Sequence, residues 1–196
     1  MADYNGIKFF QDNIVTLKET SKDSHGDQDV FMTQSSLKVV NFDAVKDDYV
    51  KNLGLSETPF SNDALVFTDD GEYYFIEFKN GHINSEIVIE LRRKIYDSLL
   101  IFTDIIGKGI SFTREKMSYI LVYNEDRNLI TEGETNQMQH SPSRRKIAVH
   151  FIEKMAKERF AQFGLGRYDK LCYKNMYAYD KEEFEREFVQ RHSESA

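Results

Sequence analysis

Asp63 precedes Glu77-Phe78-Lys79 by a spacer of thirteen residues. Two carboxylates and an ammonium can bind a hard cation, or neutralise one another, if the fold brings them together. Strand parity decides whether it does. Ala64-Leu65-Val66-Phe67 and Tyr73-Tyr74-Phe75-Ile76-Glu77-Phe78-Lys79 are rich in aromatic and branched residues, and Asp69-Asp70-Gly71 lies between them. That is the pattern of two strands joined by a tight turn. Side chains alternate across a strand, so Glu77 and Lys79 share a face with Tyr73 and Phe75, while Tyr74, Ile76 and Phe78 take the other. Both faces are mostly apolar, which predicts a sheet covered on two sides.

The turn fixes the register. A three-residue loop pairs Thr68 with Glu72, suits Gly71 in a left-handed conformation, and places Asp63 directly opposite Glu77 on one face. A two-residue Asp70-Gly71 loop would send them to opposite faces. In the three-residue register the two Cβ atoms lie roughly 5 Å apart. Like charges that close need a cation between them. Lys79 is one candidate, and a divalent metal with oxygen ligands is the other.

Asp63, the spacer and Glu77-Phe78-Lys79 resemble the core motif of the PD-(D/E)XK nuclease superfamily, with Asn62 where the family name has Pro. The resemblance covers Asp63 to Lys79 well, and the following helix and strand in outline. It implies an α/β fold with a mixed central β-sheet flanked by helices, the restriction-endonuclease-like core. It implies metal-dependent hydrolysis of phosphodiesters in DNA or RNA. Asp63 and Glu77 would hold Mg²⁺ or Mn²⁺, and Lys79 would position or activate the attacking water and stabilise charge on the phosphate. Members often add an acid from a helix before the sheet, for which Glu19, Asp43, Asp47 and Asp48 are candidates. The helix after E-x-K often adds a polar residue, and here Glu90, Arg93 and Lys94 are candidates. A cross-strand ion pair at a sheet edge is the purely structural alternative.

The remaining elements follow from periodicity. Phe9, Phe10, Ile14 and Leu17 predict a first helix over 6–20. Residues 39–42 suit a strand or a helix start, with Asp43 capping a helix that Gly54 ends. Ile87, Leu91, Ile95, Leu99, Phe102 and Ile106 predict a helix over 84–106, stopped by Gly107 and Gly109. Met117 to Tyr123 reads as a buried strand, which suggests a crossover onto the same sheet. Residues 124–141 are polar, suiting a loop or a substrate-contacting flap. Ser141 and Pro142 open a helix whose apolar stripe ends at Gly164. Arg144, Arg145 and Lys146 in its first turn oppose the helix dipole, and a phosphate backbone would offset that. With Arg93 they are the candidate nucleic-acid contacts. Residues 171–179 suggest a late strand, and Asp180 with Glu183 a capping box opening a helix over 181–190.

These elements predict one α/β domain over 1–190, with an acidic helical part at 1–60, the motif region at 61–123 and a helix-strand-helix at 142–190. Residues 191–196 read as a tail. The chain has 196 residues, 40% hydrophobic and 30% charged, ordinary values for a soluble protein. It has no apolar run of membrane-spanning length. The single Cys172 excludes an internal disulfide, suits a reducing cytoplasm, and reads as a core residue. The net charge is −7, and residues 1–72 carry 14 Asp or Glu against 6 Lys. That balance argues against a protein that coats nucleic acid non-specifically. It leaves room for a local basic groove, and for a nuclease-like binding protein without activity. Such a protein would be a toxin-immunity or defence-system subunit, or a homodimer, whose acidic third meets a basic partner. The five His are scattered without zinc-ligand spacing, and there is no phosphate-binding glycine loop.

Overall fold

The computed structural model describes residues 6–24, 29–128 and 154–193. In order these comprise α1 (Lys8–Gln11), β1 (Ile14–Thr16), α2 (Leu17–Thr20), β2 (Lys22–Asp23), β3 (Val30–Phe31), β4 (Lys38–Asn41) and α3 (Phe42–Leu53). Then come β5 (Ala64–Phe67), β6 (Tyr73–Lys79), α4 (Ser85–Ile106), α5 (Ile110–Lys116) and β7 (Met117–Tyr123). Residues 154–162 are helical (α6). The chain closes with β8 (Asn175–Tyr179), α7 (Lys181–Phe184), a π-helical turn (Glu185–Val189) and α8 (Gln190–Ser193).

Six strands form one mixed sheet in the order β1-β4-β5-β6-β7-β8, and β2 pairs with β3 in a separate ribbon. Strands β1 to β6 pair antiparallel, whereas β6–β7 and β7–β8 are parallel. The protein is therefore α/β, with a mixed central sheet flanked by helices. β6 is where the pairing changes sense.

The sheet is covered on both faces, as the apolar alternation predicts. Phe75, Tyr119 and Leu121 join Phe42 and Val45 of α3 and Leu91, Ile95, Leu99 and Phe102 of α4 in one core. Ile76, Phe78, Ile120 and Val122 join Leu17, Phe184 and Phe188 in the other. Cys172 is buried in the first core and is a free thiol.

The β5–β6 hairpin has the three-residue loop. Ala64 pairs with Ile76 and Phe67 with Tyr73, and the Thr68 N–H donates to Glu72 O at 3.1 Å. Gly71 takes φ 79°, a region that penalises any Cβ.

The structure corrects the sequence reading in several places. The expected helix over 6–20 is α1, β1 and α2. Asp12 and Asn13 break it, and the Ile14-Val15-Thr16 run pairs with Lys38–Val40 instead. Asn41 caps α3, its side chain accepting from the Ala44 N–H, so Asp43 is a helix residue and not the cap. Gly109 ends nothing, because it is the residue before α5, which the two glycines had concealed. The late strand starts at Asn175 and not at Leu171. The capping box of Asp180 and Glu183 is present. The helix it opens runs on to Ser193, with His192 packed on Tyr74 and Phe188, so residues 191–193 are not a frayed tail.

Candidate functional site

Asp63 lies one residue before β5. Its backbone carbonyl accepts from the Phe42 N–H at 3.1 Å, and its Oδ2 accepts from the Phe78 N–H at 2.7 Å. These bonds hold the carboxylate on the α4 side of the sheet, across from Glu77. Glu77 is fully buried there, and Lys79 follows it on the same face.

The cations come from two elements. Lys79 Nζ is 3.2 Å from Glu77 Oε1 and 2.8 Å from Glu90 Oε1. Lys94 Nζ is 2.7 Å from the same Glu77 oxygen and 3.2 Å from Asp63 Oδ1. Lys94 thus sits between the two carboxylates, while Lys79 leans toward Glu90. Both Glu90 and Lys94 stand on α4, one helical turn apart, at the edge of its buried stripe.

Burial dominates the electrostatics. It lifts Glu77 to about 7, with the Asp63 charge adding to the rise and Lys94 and Lys79 opposing it. Burial also disfavours charge on the two lysines, but the neighbouring carboxylates outweigh it and hold both above the ordinary ammonium range. Asp43 is raised chiefly by burial, although a hydrogen bond from Ser61 Oγ counters this. Glu77 Oε2 is buried without a hydrogen-bond partner. An unpaired carboxylate oxygen in such a place costs free energy, and a ligand to that oxygen would remove the cost.

The group borders an open cleft of about 740 Å³. Asp43, Asp63, Lys79, Glu90 and Lys94 line it, together with Glu19 of α2 and Lys22 and Asp23 of β2. The loop after Lys79 is stapled in place. Asn128 Oδ1 accepts from Ile83 N at 2.7 Å, its Nδ2 donates to Gly81 O at 3.0 Å, and Asn124 Nδ2 donates to Asn80 Oδ1 at 2.9 Å. This brings His82 and Arg127 to the rim, linked by a 2.9 Å contact between His82 Nδ1 and Arg127 O.

Of the predicted residues, Asp63, Glu77 and Lys79 converge. Among the helix acids, Glu19 and Asp43 line the cleft. Asp48 accepts instead from Asn13, and Asp47 pairs with Lys46. Glu19 is held by its capping box with Thr16. Arg93 is exposed, with its guanidinium over the Phe60 ring at 5.6 Å, and is not among the cleft residues. Arg144, Arg145 and Lys146 lie outside the described residues. Sequence reasoning missed Lys22, Asp23, Asn80 and Arg127, which reach the cleft through the β2–β3 ribbon and the side-chain bonds of Asn124 and Asn128 to the loop after Lys79.

The donor set fits a hard divalent cation. Carboxylate oxygens converge on a point now held by an ammonium, and one further Glu77 oxygen lacks a partner. Among the described residues, however, no three His, Cys, Asp or Glu side chains form a ready-made metal cage. An ion here would complete its shell with water or substrate oxygens, as Mg²⁺ commonly does. No family model, curated protein or solved structure matches the chain.

Proposed function

We propose that the cleft is a metal-assisted phosphodiester-hydrolysis site of the PD-(D/E)XK kind, acting on DNA or RNA. One observation carries the reading: Asp63, Glu77 and Lys79 meet on one face at the carboxyl end of β6, with Asp63 and Lys79 lining an open cleft and Glu77 buried behind them. An ion-paired cluster serving stability alone has no need of an opening of that size.

Asp63 and Glu77 would hold Mg²⁺ or Mn²⁺. When bound, such an ion lowers the pKa of a coordinated water and offsets negative charge on a phosphate. Lys79 supplies a fixed positive charge beside that oxygen, held in place by Glu90. Phe78, through its N–H on Asp63, keeps one carboxylate aimed and unable to rotate away. His82 and Arg127 at the rim offer donors to the backbone of a polynucleotide.

The test is cleavage of labelled single- and double-stranded DNA and RNA with Mg²⁺, Mn²⁺ or EDTA. Divalent-dependent cleavage that Lys79→Ala reduces by about 100-fold or more supports the reading. Full cleavage by Lys79→Ala refutes it.

A second reading has its own observation. Lys94 already bridges both carboxylates, and further acids line the cleft. A nuclease-like protein without activity, binding a basic protein partner through acids of the cleft such as Glu19, Asp23 and Asp43, would look the same. Calorimetry separates the two: no uptake of Mg²⁺ or Mn²⁺, with a tight protein partner in pull-down, favours the second.

A further inference from the structure

We propose that Lys94 is a resident counter-ion, which a divalent cation must displace from between Asp63 and Glu77, so that this lysine sets the cation affinity of the site. The inference rests on the metal-site reading above and adds a residue and a state to it.

The two lysines are not equivalent. Lys79 Nζ approaches Glu90 more closely than Glu77, at 2.8 Å against 3.2 Å. Lys94 Nζ makes the short contact to Glu77, 2.7 Å, and is the amine that also touches Asp63. An ammonium and a divalent ion with oxygen ligands cannot both occupy that point. Their charges repel, and each claims Asp63 Oδ1 and Glu77 Oε1.

Charge balance permits the exchange. Asp43, Asp63, Glu77 and Glu90 are four carboxylates against the two ammoniums of Lys79 and Lys94, so the fully ionised group has room for one divalent charge. The displaced amine also has somewhere to go. Lys94 has a long, flexible stem on α4, and Asp43, which lines the same cleft, already feels its charge. From there the ammonium would face whatever anion enters the cleft. The resting protein therefore keeps a lysine where the ion will be, sparing the buried Glu77 from standing unneutralised.

Two measurements test this. In the first, Mn²⁺ binding is followed by calorimetry in the wild-type protein and in Lys94→Met, without nucleic acid. Removing the competing charge should tighten Mn²⁺ binding by about 10-fold or more. In the second, the Lys94 side-chain amine is observed by NMR in the wild-type protein, assigned by its loss in Lys94→Arg. Added Mg²⁺ should move it from a hydrogen-bonded to a solvated position, and this decides the matter even if Lys94→Met does not fold. Equal or weaker Mn²⁺ binding by folded Lys94→Met, while the wild type binds, overturns the counter-ion role and leaves the metal site standing. A Lys94 signal that stays put at saturating Mg²⁺ does the same. No Mn²⁺ uptake by either protein overturns both the role and the metal site.

Discussion

The Phe78 N–H donates to Oδ2 of Asp63 at 2.7 Å, tying a carboxylate just outside β5 to the residue between Glu77 and Lys79. One hydrogen bond thereby relates three positions of the motif. Phe78 points its ring into the opposite core, where it meets Phe184 at 5.6 Å between centroids. The donor is thus clamped by packing, and the carboxylate it holds cannot follow Lys94 if that amine moves.

Substitution at Asp63 should separate position from charge. Asp63→Ala removes the acceptor for Phe78 and half of the Lys94 cradle, and should lower stability by about 1–3 kcal/mol in denaturant unfolding. Asp63→Asn keeps an oxygen for the Phe78 N–H and should cost less than half as much. Both should lose divalent-dependent cleavage. If Asp63→Asn is as unstable as Asp63→Ala, the Phe78 bond is not what holds the residue.

Gly71 controls the same geometry from the far end of the hairpin. At φ 79° a side chain is strained, so Gly71→Ala should cost about 1–2 kcal/mol. Gly81 has neither a positive φ nor any atom within 4 Å of an added Cβ. Gly81→Ala should therefore leave the thermal midpoint nearly unchanged. The pair compares two glycines flanking the same strand, and equal losses would contradict the turn argument.

That contrast also shows why the centre of the molecule was readable in the sequence and its borders were not. Parity and a glycine at the third loop position suffice to pair Asp63 with Glu77, because both rules are local. The choice among Glu90, Arg93 and Lys94 was available too. On a helix whose stripe runs through Ile87, Leu91 and Ile95, Arg93 lies roughly 160° from Leu91, while Glu90 and Lys94 flank the stripe. The missing signal near the N-terminus was Thr16 followed by Glu19, a capping box that starts α2 and so forbids a helix through Thr16. Phe9, Phe10, Ile14 and Leu17 have helical spacing, but Phe9 and Phe10 pack inward from α1 and Leu17 from α2, while Ile14 on β1 is exposed. The cleft wall of Lys22, Asp23 and Arg127 depends on side-chain staples between distant loops, such as Asn80 to Asp23 at 3.0 Å. No periodicity announces such contacts.

Lys79 and Glu90 should behave differently from Asp63. Their ion pair lies at the cleft, with Lys79 18% and Glu90 34% exposed at the side chain. Lys79→Ala leaves Glu77 its Lys94 contact and should change stability by less than about 1 kcal/mol. Its effect should fall on turnover. Glu90→Gln should preserve the fold and lower turnover by a smaller factor, since the lysine keeps Glu77 but loses its second anchor. Single-turnover cleavage and denaturant unfolding, measured on the same preparations, check both. A Lys79→Ala protein that is both inactive and largely unfolded would assign the residue a structural role instead.

The carboxyl-terminal helix should make stability depend on pH through His192. Its ring lies 4.7 Å from Phe188 and 5.6 Å from Tyr74 between centroids. Burial pushes its pKa below 6.5, the Asp70 carboxylate from the hairpin turn opposes that, and Arg191 reinforces it. The sign follows from proton counting. Between the lowered folded value and the ordinary one, the unfolded chain binds more protons than the folded chain, so stability rises with pH across that interval. The full contribution is present above about 6.5 and is lost as pH falls toward the folded value. His192→Phe keeps the aromatic contacts and removes the titration. Chemical denaturation between pH 5 and 7.5 should therefore show a shallower loss on acidification for His192→Phe than for wild type. Identical slopes would mean that the imidazole is as readily charged against Tyr74 and Phe188 as it is in water.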